Sequence, residues 1–178
     1  MKKLVYLIIL LFNLLNKSYS GEIEWTVSGN DNVTPVNVNE NHFYLKYENT
    51  GQFETNTSLF GFSTCFGTVE VKSGKMNQTI FCTYTDSYGN KGYIKSIPAT
   101  KKKIIGNMIG ERGGSSIGSW EFIGGEGPFK ELIGTTMTGA YFQMGNNNLG
   151  QGNYIWKGKA EGISDSVISR INNYTKKD

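Results

Sequence analysis

Short stretches in which apolar and polar residues alternate recur along the chain after residue 20, separated by Gly- and Asn-rich segments. A period of two is typical of half-buried β-strands, and no long stretch follows the helical period. The pattern predicts about nine strand segments, at residues 22–27, 42–48, 59–72, 75–85, 91–97, 103–109, 119–123, 135–144 and 153–161. Residues 28–41 are predicted to be a polar linker and Asn49-Thr50-Gly51 to be a turn. Strands at this spacing favour a single all-β domain, either a sandwich or a barrel.

The end of the chain departs from this pattern. Residues 164–173 predict one short helix with Asp165 as its N-cap, because Val167, Ile168 and Ile171 recur on one helical face. The predicted fold class is therefore antiparallel all-β with a short C-terminal helix or tail.

Cys65 and Cys82 are the two cysteines of the chain. If Ser73-Gly74 forms a two-residue turn, Lys72 lies opposite Lys75. The register of this hairpin then places Cys65 directly opposite Cys82. The pair then occupies a non-hydrogen-bonded site, where Cα atoms are ~4.5 Å apart, within reach of a disulfide. The alternation also turns Val69, Val71 and Ile80 to the same face as the cysteines. We therefore expect a Cys65–Cys82 disulfide on or near the buried face of this hairpin.

The first 20 residues have the three parts of a secretory signal peptide: Lys2 and Lys3, an apolar run at residues 4–15, and small residues before the cleavage point. At about 12 residues, the run is shorter than the ~20 that a membrane-spanning helix needs. We expect cleavage after Ser20, which leaves residues 21–178 as one β-barrel domain. The mature protein is expected to be secreted or periplasmic, with no membrane insertion after cleavage.

Charge argues against nucleic acid as a partner. The full chain has 18 Lys and Arg against 15 Asp and Glu, and three of the lysines lie in the predicted signal peptide. The mature chain is therefore balanced, whereas a nucleic-acid binder shows a basic surface that neutralises phosphates. The run Lys101-Lys102-Lys103 is more typical of a solvated loop or a protected strand edge. We expect no nucleic-acid partner.

Few residues carry the patterns that catalysis or metal binding requires. His42 is the single histidine, and no G-x-S-x-G segment accompanies it, so no Ser-His-Asp arrangement is predicted. One His and two Cys are too few for a zinc site, and residues 86–90 are predicted to be a turn because Tyr88 stands where a calcium loop needs an oxygen ligand. The sequence therefore predicts no catalytic residue, no metal and no cofactor. It leaves open a glycosidase-like carboxylate pair among Glu121, Glu126 and Glu131.

The segment Phe122-Ile123-Gly124-Gly125-Glu126-Gly127-Pro128-Phe129-Lys130-Glu131-Leu132-Ile133-Gly134 resembles the Gly-Gly-Thr-Gly-x-Phe-x-x-x-x-Gly corner of the allene oxide cyclase and dirigent barrels. It is also similar to the corner of small exported bacterial proteins of that superfamily. Here Glu126 stands where Thr is usual, and Pro128 is unusual.

The resemblance implies an eight-stranded antiparallel, calycin-like barrel with an apolar cavity and no cofactor. The corner glycines, Gly124, Gly125 and Gly127, would permit positive φ where the strand ends. Phe129 would plug one end of the barrel, and Gly134 would let the next strand start tightly. No catalytic residue of those families maps onto this chain.

In the last predicted strand, Tyr154, Trp156, Gly158 and Ala160 should face the barrel interior. The leading hypothesis is an exported barrel that binds a small apolar ligand without catalysis, with Tyr154 and Trp156 lining the pocket. The alternative that carries equal weight is that these aromatic side chains simply fill the core.

Two other functions remain open. A cofactor-free isomerase or cyclase of the allene oxide cyclase type would need a buried carboxylate or Asn beside a wet pocket. A surface interaction module would use an exposed apolar patch around Phe66 and Phe81 on the outer face.

Overall fold

The computed structural model describes residues 20–73, 75–98, 114–145 and 151–175. Eight antiparallel strands form a closed barrel in which each strand pairs with the next along the chain and the last pairs with the first. The elements are β1 (Ser20–Asn39), β2 (His42–Thr55), β3 (Phe60–Lys72), β4 (Lys75–Asp86), β5 (Lys91–Ile97), β6 (Gly114–Gly125), a 3-10 helix (Gly127–Leu132), β7 (Thr136–Gly145), β8 (Gln151–Ser164) and helix α1 (Asp165–Asn172). The predicted eight-stranded antiparallel barrel with a short C-terminal helix is confirmed. Residues 1–19 of the predicted signal peptide, the run Lys101-Lys102-Lys103 and the predicted strand at residues 103–109 lie outside the described residues.

The hairpin of β3 and β4 has the predicted register. Lys72 pairs with Lys75, and Cys65 pairs with Cys82. The two cysteines are joined in a disulfide, with their Cα atoms 4.0 Å apart. Cys82 is buried and Phe66 is exposed on the opposite face. The inward direction of the disulfide is therefore confirmed.

Two predicted interruptions of the first strands are wrong. The expected linker at residues 28–41 is the second half of β1 as far as Asn39, followed by a turn at residues 40–41, and the expected turn Asn49-Thr50-Gly51 lies inside β2. β1 pairs with β8 as far as Asn32 and with β2 as far as Asn39. Two hydrogen-bonded ladders override the weak strand propensity of these polar residues. Most side chains of residues 28–39 point into solvent, so the polar composition of this stretch is compatible with a strand.

One end of the barrel is closed by aromatic and aliphatic side chains. Phe129 of the 3-10 helix is fully buried, and its ring centroid lies 6.3 Å from that of Phe53 and 6.4 Å from that of Phe122. Trp25 packs behind them, 5.4 Å from Phe53 and 5.6 Å from Phe122. Phe129 therefore packs inside one end of the barrel, the position that the resemblance implies for it.

The corner glycines serve two different purposes. Gly127 and Gly134 have φ of +51° and +83°, a region that favours glycine. Gly124 and Gly125 do not have positive φ, so that expectation is wrong for them. A Cβ at Gly125 would lie 2.6 Å from the Cβ of Phe129, and this close approach is what requires glycine there.

Helix α1 covers the same end of the barrel. Its N-cap is Ser164, whose Oγ accepts a hydrogen bond from the Val167 backbone N–H, and Asp165 is the first helical residue instead of the expected cap. Ile171 is fully buried, and the Ser58 hydroxyl donates to its carbonyl oxygen at 2.9 Å. Neither helix of the described chain has the length and apolar content to cross a membrane.

Candidate functional site

The middle of the barrel interior is polar. Asp31 of β1 pairs in register with Asn49 of β2, and both side chains are buried. The Tyr141 hydroxyl of β7 donates a hydrogen bond to Oδ2 of Asp31. Asn49 donates from Nδ2 to the Tyr47 hydroxyl at 2.6 Å. These four residues form a polar cluster held by three strands, which we call the Asp31 cluster.

Burial dominates the electrostatics of the Asp31 cluster. Asp31 is 3% exposed, and desolvation raises the pKa of its carboxyl to about 6, although the hydrogen bond from Tyr141 acts in the opposite direction. Burial and the nearby Asp31 carboxylate raise the pKa of Tyr141 and of Tyr47 well above the ordinary value. Among the described residues, Oδ1 of Asp31 and Oδ1 of Asn49 have no hydrogen-bond partner. Asp31 can therefore exchange a proton near neutral pH.

The cavity beside the Asp31 cluster is small. It has a volume of about 30 Å³, and Tyr154 and Trp156 are among its lining residues, together with the disulfide. A cavity needs ~10–15 Å³ of such volume to hold one water molecule, so this one has room for water and not for an organic ligand. Tyr154 and Trp156 are buried inside the barrel, as the alternation predicts, and in this structure they help to fill it.

A much larger concavity lies on the outer surface. It has a volume of about 710 Å³ and crosses five neighbouring strands in the order β7, β8, β1, β2 and β3. We call it the outer groove. It is open to solvent, so a molecule bound there would be covered on one side only.

Two rows of outward side chains form the outer groove, each running across the strands. The strand pairing places one row in the order Ile155, Ser28, Gln52, Phe62. It places the second in the order Met144, Asn153, Asn30, Thr50, Thr64. The sheet thus brings together residues that are far apart in the sequence.

Between the two rows, Gly29 of β1 pairs with Gly51 of β2. A Cβ at Gly29 would lie 2.0 Å from the Thr50 carbonyl oxygen, and one at Gly51 would lie 2.5 Å from the Tyr154 hydroxyl. The two glycines face the interior, where backbone and tyrosine can approach this closely because both residues lack a side chain. Residues that face inward leave only backbone on the outer side, so the floor between the two rows is backbone, with Tyr154 on its interior side.

The other sequence candidates lie elsewhere. His42, near one end of β2, contacts Glu70 of β3, with 2.8 Å between Nε2 and Oε1. Glu121 pairs with Lys95 at 3.1 Å, and Glu131 pairs with Arg170 at 2.7 Å.

The carboxylates considered as a glycosidase pair, Glu121, Glu126 and Glu131, line neither the cavity nor the outer groove. Across the described ranges, no three His, Cys, Asp or Glu side chains lie close enough together to hold a metal ion.

Sequence reasoning missed both the Asp31 cluster and the outer groove. Asp31 fell in the predicted linker, and Asn49 in the predicted turn. A usable signal was present, because Val27, Gly29, Asp31 and Val33 continue the inward alternation of β1 beyond the predicted strand end. Comparison of the chain with models of protein families, with curated proteins and with solved structures found no match in any of the three.

Proposed function

We propose that the protein is a binding protein of the extracytoplasmic space and that it holds its ligand in the outer groove. The observation that carries this proposal is the difference in volume between the two concavities. The outer groove measures about 710 Å³, whereas the interior cavity measures about 30 Å³. Of these two concavities in the described part of the chain, the outer groove is the one with room for a small molecule.

This proposal moves the binding site from the barrel interior, where the sequence analysis expected it, to the outer face. Tyr154 remains part of the site, because it lies under the groove floor as well as beside the interior cavity. Trp156 lines the interior cavity only. Its role in the proposal is to fill the barrel and so support the strands that carry the groove.

An exposed aromatic side chain supports binding in the outer groove. Phe62 lines the groove and is 66% exposed. Phe66 and Phe81, which are 61% and 38% exposed and stack with centroids 6.0 Å apart, lie outside the groove and form the patch that the surface interaction alternative would use. Exposed apolar patches of this kind are common at interaction sites.

The disulfide supports the proposed location. Disulfides persist in oxidising compartments and are rare in the cytosol. The Cys65–Cys82 bond therefore fits a secreted or periplasmic protein, as the signal-peptide pattern predicts. The packing of Phe129 likewise supports the proposed kinship with the allene oxide cyclase and dirigent barrels.

The Asp31 cluster bears on the isomerase alternative. It contains the buried carboxylate and the Asn that such an enzyme would use, with an Asp31 pKa of about 6. The adjoining cavity of about 30 Å³ is too small for an organic substrate. We therefore assign the Asp31 cluster to the architecture of the barrel, and binding to the outer groove.

Two-dimensional amide NMR of the oxidised protein with a mixed library of neutral, anionic and cationic fragments tests the proposal. The amides of Gly29 and Gly51 report on the outer groove, and the indole N–H of Trp156 reports on the interior. We expect fragments to shift the two glycine amides and leave the indole signal in place. Shifts confined to the indole, or no shift in any of the three signals, would contradict the proposed site.

A further inference from the structure

The outer groove carries no formal charge. Six of its outward-facing lining residues have neutral polar side chains: Ser28, Asn30, Thr50, Gln52, Thr64 and Asn153. None of its described lining residues is Asp, Glu, Lys or Arg. An anionic or cationic ligand would gain no counter-charge from these residues, whereas a neutral ligand needs none. The groove is therefore suited to an uncharged ligand.

The polar side chains suit a ligand that is rich in hydroxyl groups. Asn30, Gln52 and Asn153 are exposed, and each amide offers both donors and an acceptor. The hydroxyls of Ser28, Thr50 and Thr64 also donate and accept. A hydroxyl group on the ligand has the same double capacity, so each such pair can form a hydrogen bond in either direction.

Apolar side chains stand at both ends of the groove. Phe62 on β3 is 66% exposed at one end, and Met144 on β7 is 64% exposed at the other. Ile155 of β8 lies near Met144 in the neighbouring row. A sugar ring has C–H faces as well as hydroxyl edges, and those faces would cover Phe62 and Met144 while the edges meet the amides between them.

The direction of the groove fits an extended molecule. The longer of its two rows crosses five strands at a spacing of ~4.8 Å, which gives a length of about 19 Å. Apart from Ile155, which is half-buried, the outward side chains of the two rows are exposed along this length. An open channel of this kind accepts a segment of a chain more readily than a compact ligand, which would need enclosing walls.

From this chemistry we infer that the outer groove binds an uncharged oligosaccharide, with sugar rings on Phe62 and Met144 and hydroxyl groups on the amides between them. The inference rests on the proposed function, since it names the ligand class of the same site.

Titration of the oxidised protein with four hexasaccharides tests the inference. Three are neutral: cellohexaose, maltohexaose and hexa-N-acetylchitohexaose. The fourth, hexagalacturonate, has a comparable length and carries negative charge. We expect at least one neutral hexasaccharide to bind by calorimetry and to shift the Gly29 and Gly51 amides, and hexagalacturonate to leave them unshifted.

Phe62→Ala and Phe66→Ala provide a matched pair, because both residues are exposed on the outer face of β3 and only Phe62 lines the groove. Phe62→Ala should weaken saccharide binding by about tenfold, which corresponds to ~1.4 kcal/mol. Phe66→Ala should leave binding unchanged. Equal weakening by the two substitutions, or binding of hexagalacturonate as tightly as a neutral saccharide, would overturn the inference.

The two proposals fail in different ways. If no neutral hexasaccharide binds but the fragment library still shifts Gly29 and Gly51, the ligand class is wrong and the groove remains the binding site. If neither saccharides nor fragments shift these amides, both proposals are wrong.

Discussion

The indole ring of Trp156 lies against Gly158 of the same strand and leaves no room there for a side chain. A Cβ at Gly158 would lie 2.3 Å from Cη2 of Trp156, and a Cβ at Gly139 of β7 would lie 2.5 Å from Cζ2. Gly139 and Gly158 pair across β7 and β8. The ring therefore covers a patch of bare backbone inside the barrel, and the two glycines allow the largest side chain of this layer to fit.

Gly158→Ala should lower the free energy of unfolding by ~1–3 kcal/mol, because the added methyl group overpacks the interior against Trp156. Urea denaturation followed by tryptophan fluorescence measures the change. Gly118→Ala is the matched control, since the nearest atom to its new Cβ would be the flexible Gln78 Nε2 at 3.4 Å. An equal loss in both variants would show that the contact with Trp156 is not the cause.

Asp31 should make the protein less stable as the pH rises. Its pKa is about 6 in the folded protein, against 3.8 for the free side chain. Between these values the folded protein holds a proton that the unfolded chain has released. The contribution of Asp31 to the free energy of unfolding is therefore fully present below about pH 4 and is lost as the pH rises through about 6.

The variant Asp31→Asn cannot ionise and should abolish this dependence. At about pH 8 it should be more stable than the wild type by ~2–3 kcal/mol, and at about pH 3 the two should be nearly equal. Urea denaturation across this pH range provides the measurement. Parallel stability curves for the two proteins would contradict the buried, titrating state of Asp31.

Reduction of the Cys65–Cys82 disulfide should cost ~3 kcal/mol, because the bond closes a loop between residues 17 apart and restricts the unfolded chain. Denaturation curves with and without a phosphine reductant give this difference. Thiol titration of the oxidised, unfolded protein should detect no free sulfhydryl. Two free sulfhydryls would show that the bond does not form.

Phe129→Ala should destabilise the barrel by ~3–5 kcal/mol, because the ring is fully buried at the closed end and contacts Phe53 and Phe122. Phe66→Ala removes an equally large side chain from an exposed position and should cost only ~0.2–1 kcal/mol, from the lost stacking on Phe81. Thermal or urea denaturation compares the two. A small effect of Phe129→Ala would show that this end of the barrel is not closed by the ring.

Local patterns determined much of the fold. The register of the β3–β4 hairpin follows from a short turn and a period of two, and it placed Cys65 opposite Cys82 and Phe66 outside. The bounds of β5 were correct for the same reason, since a short strand that begins after a turn depends on neighbouring residues. The inward direction of Tyr154 and Trp156 also followed from alternation alone.

Barrel closure decided what local patterns could not. The polar stretch after Ser28 becomes a strand because β1 pairs with β8, from the far end of the chain, as well as with β2. That closure carries Asp31 into the interior beside Tyr141, and it aligns Asn153, Asn30 and Thr50 in one row of the outer groove. The sequence by itself determined which side chains share a face of each strand. Which faces meet depends on hydrogen bonds between distant strands, and only the tertiary structure shows that pairing.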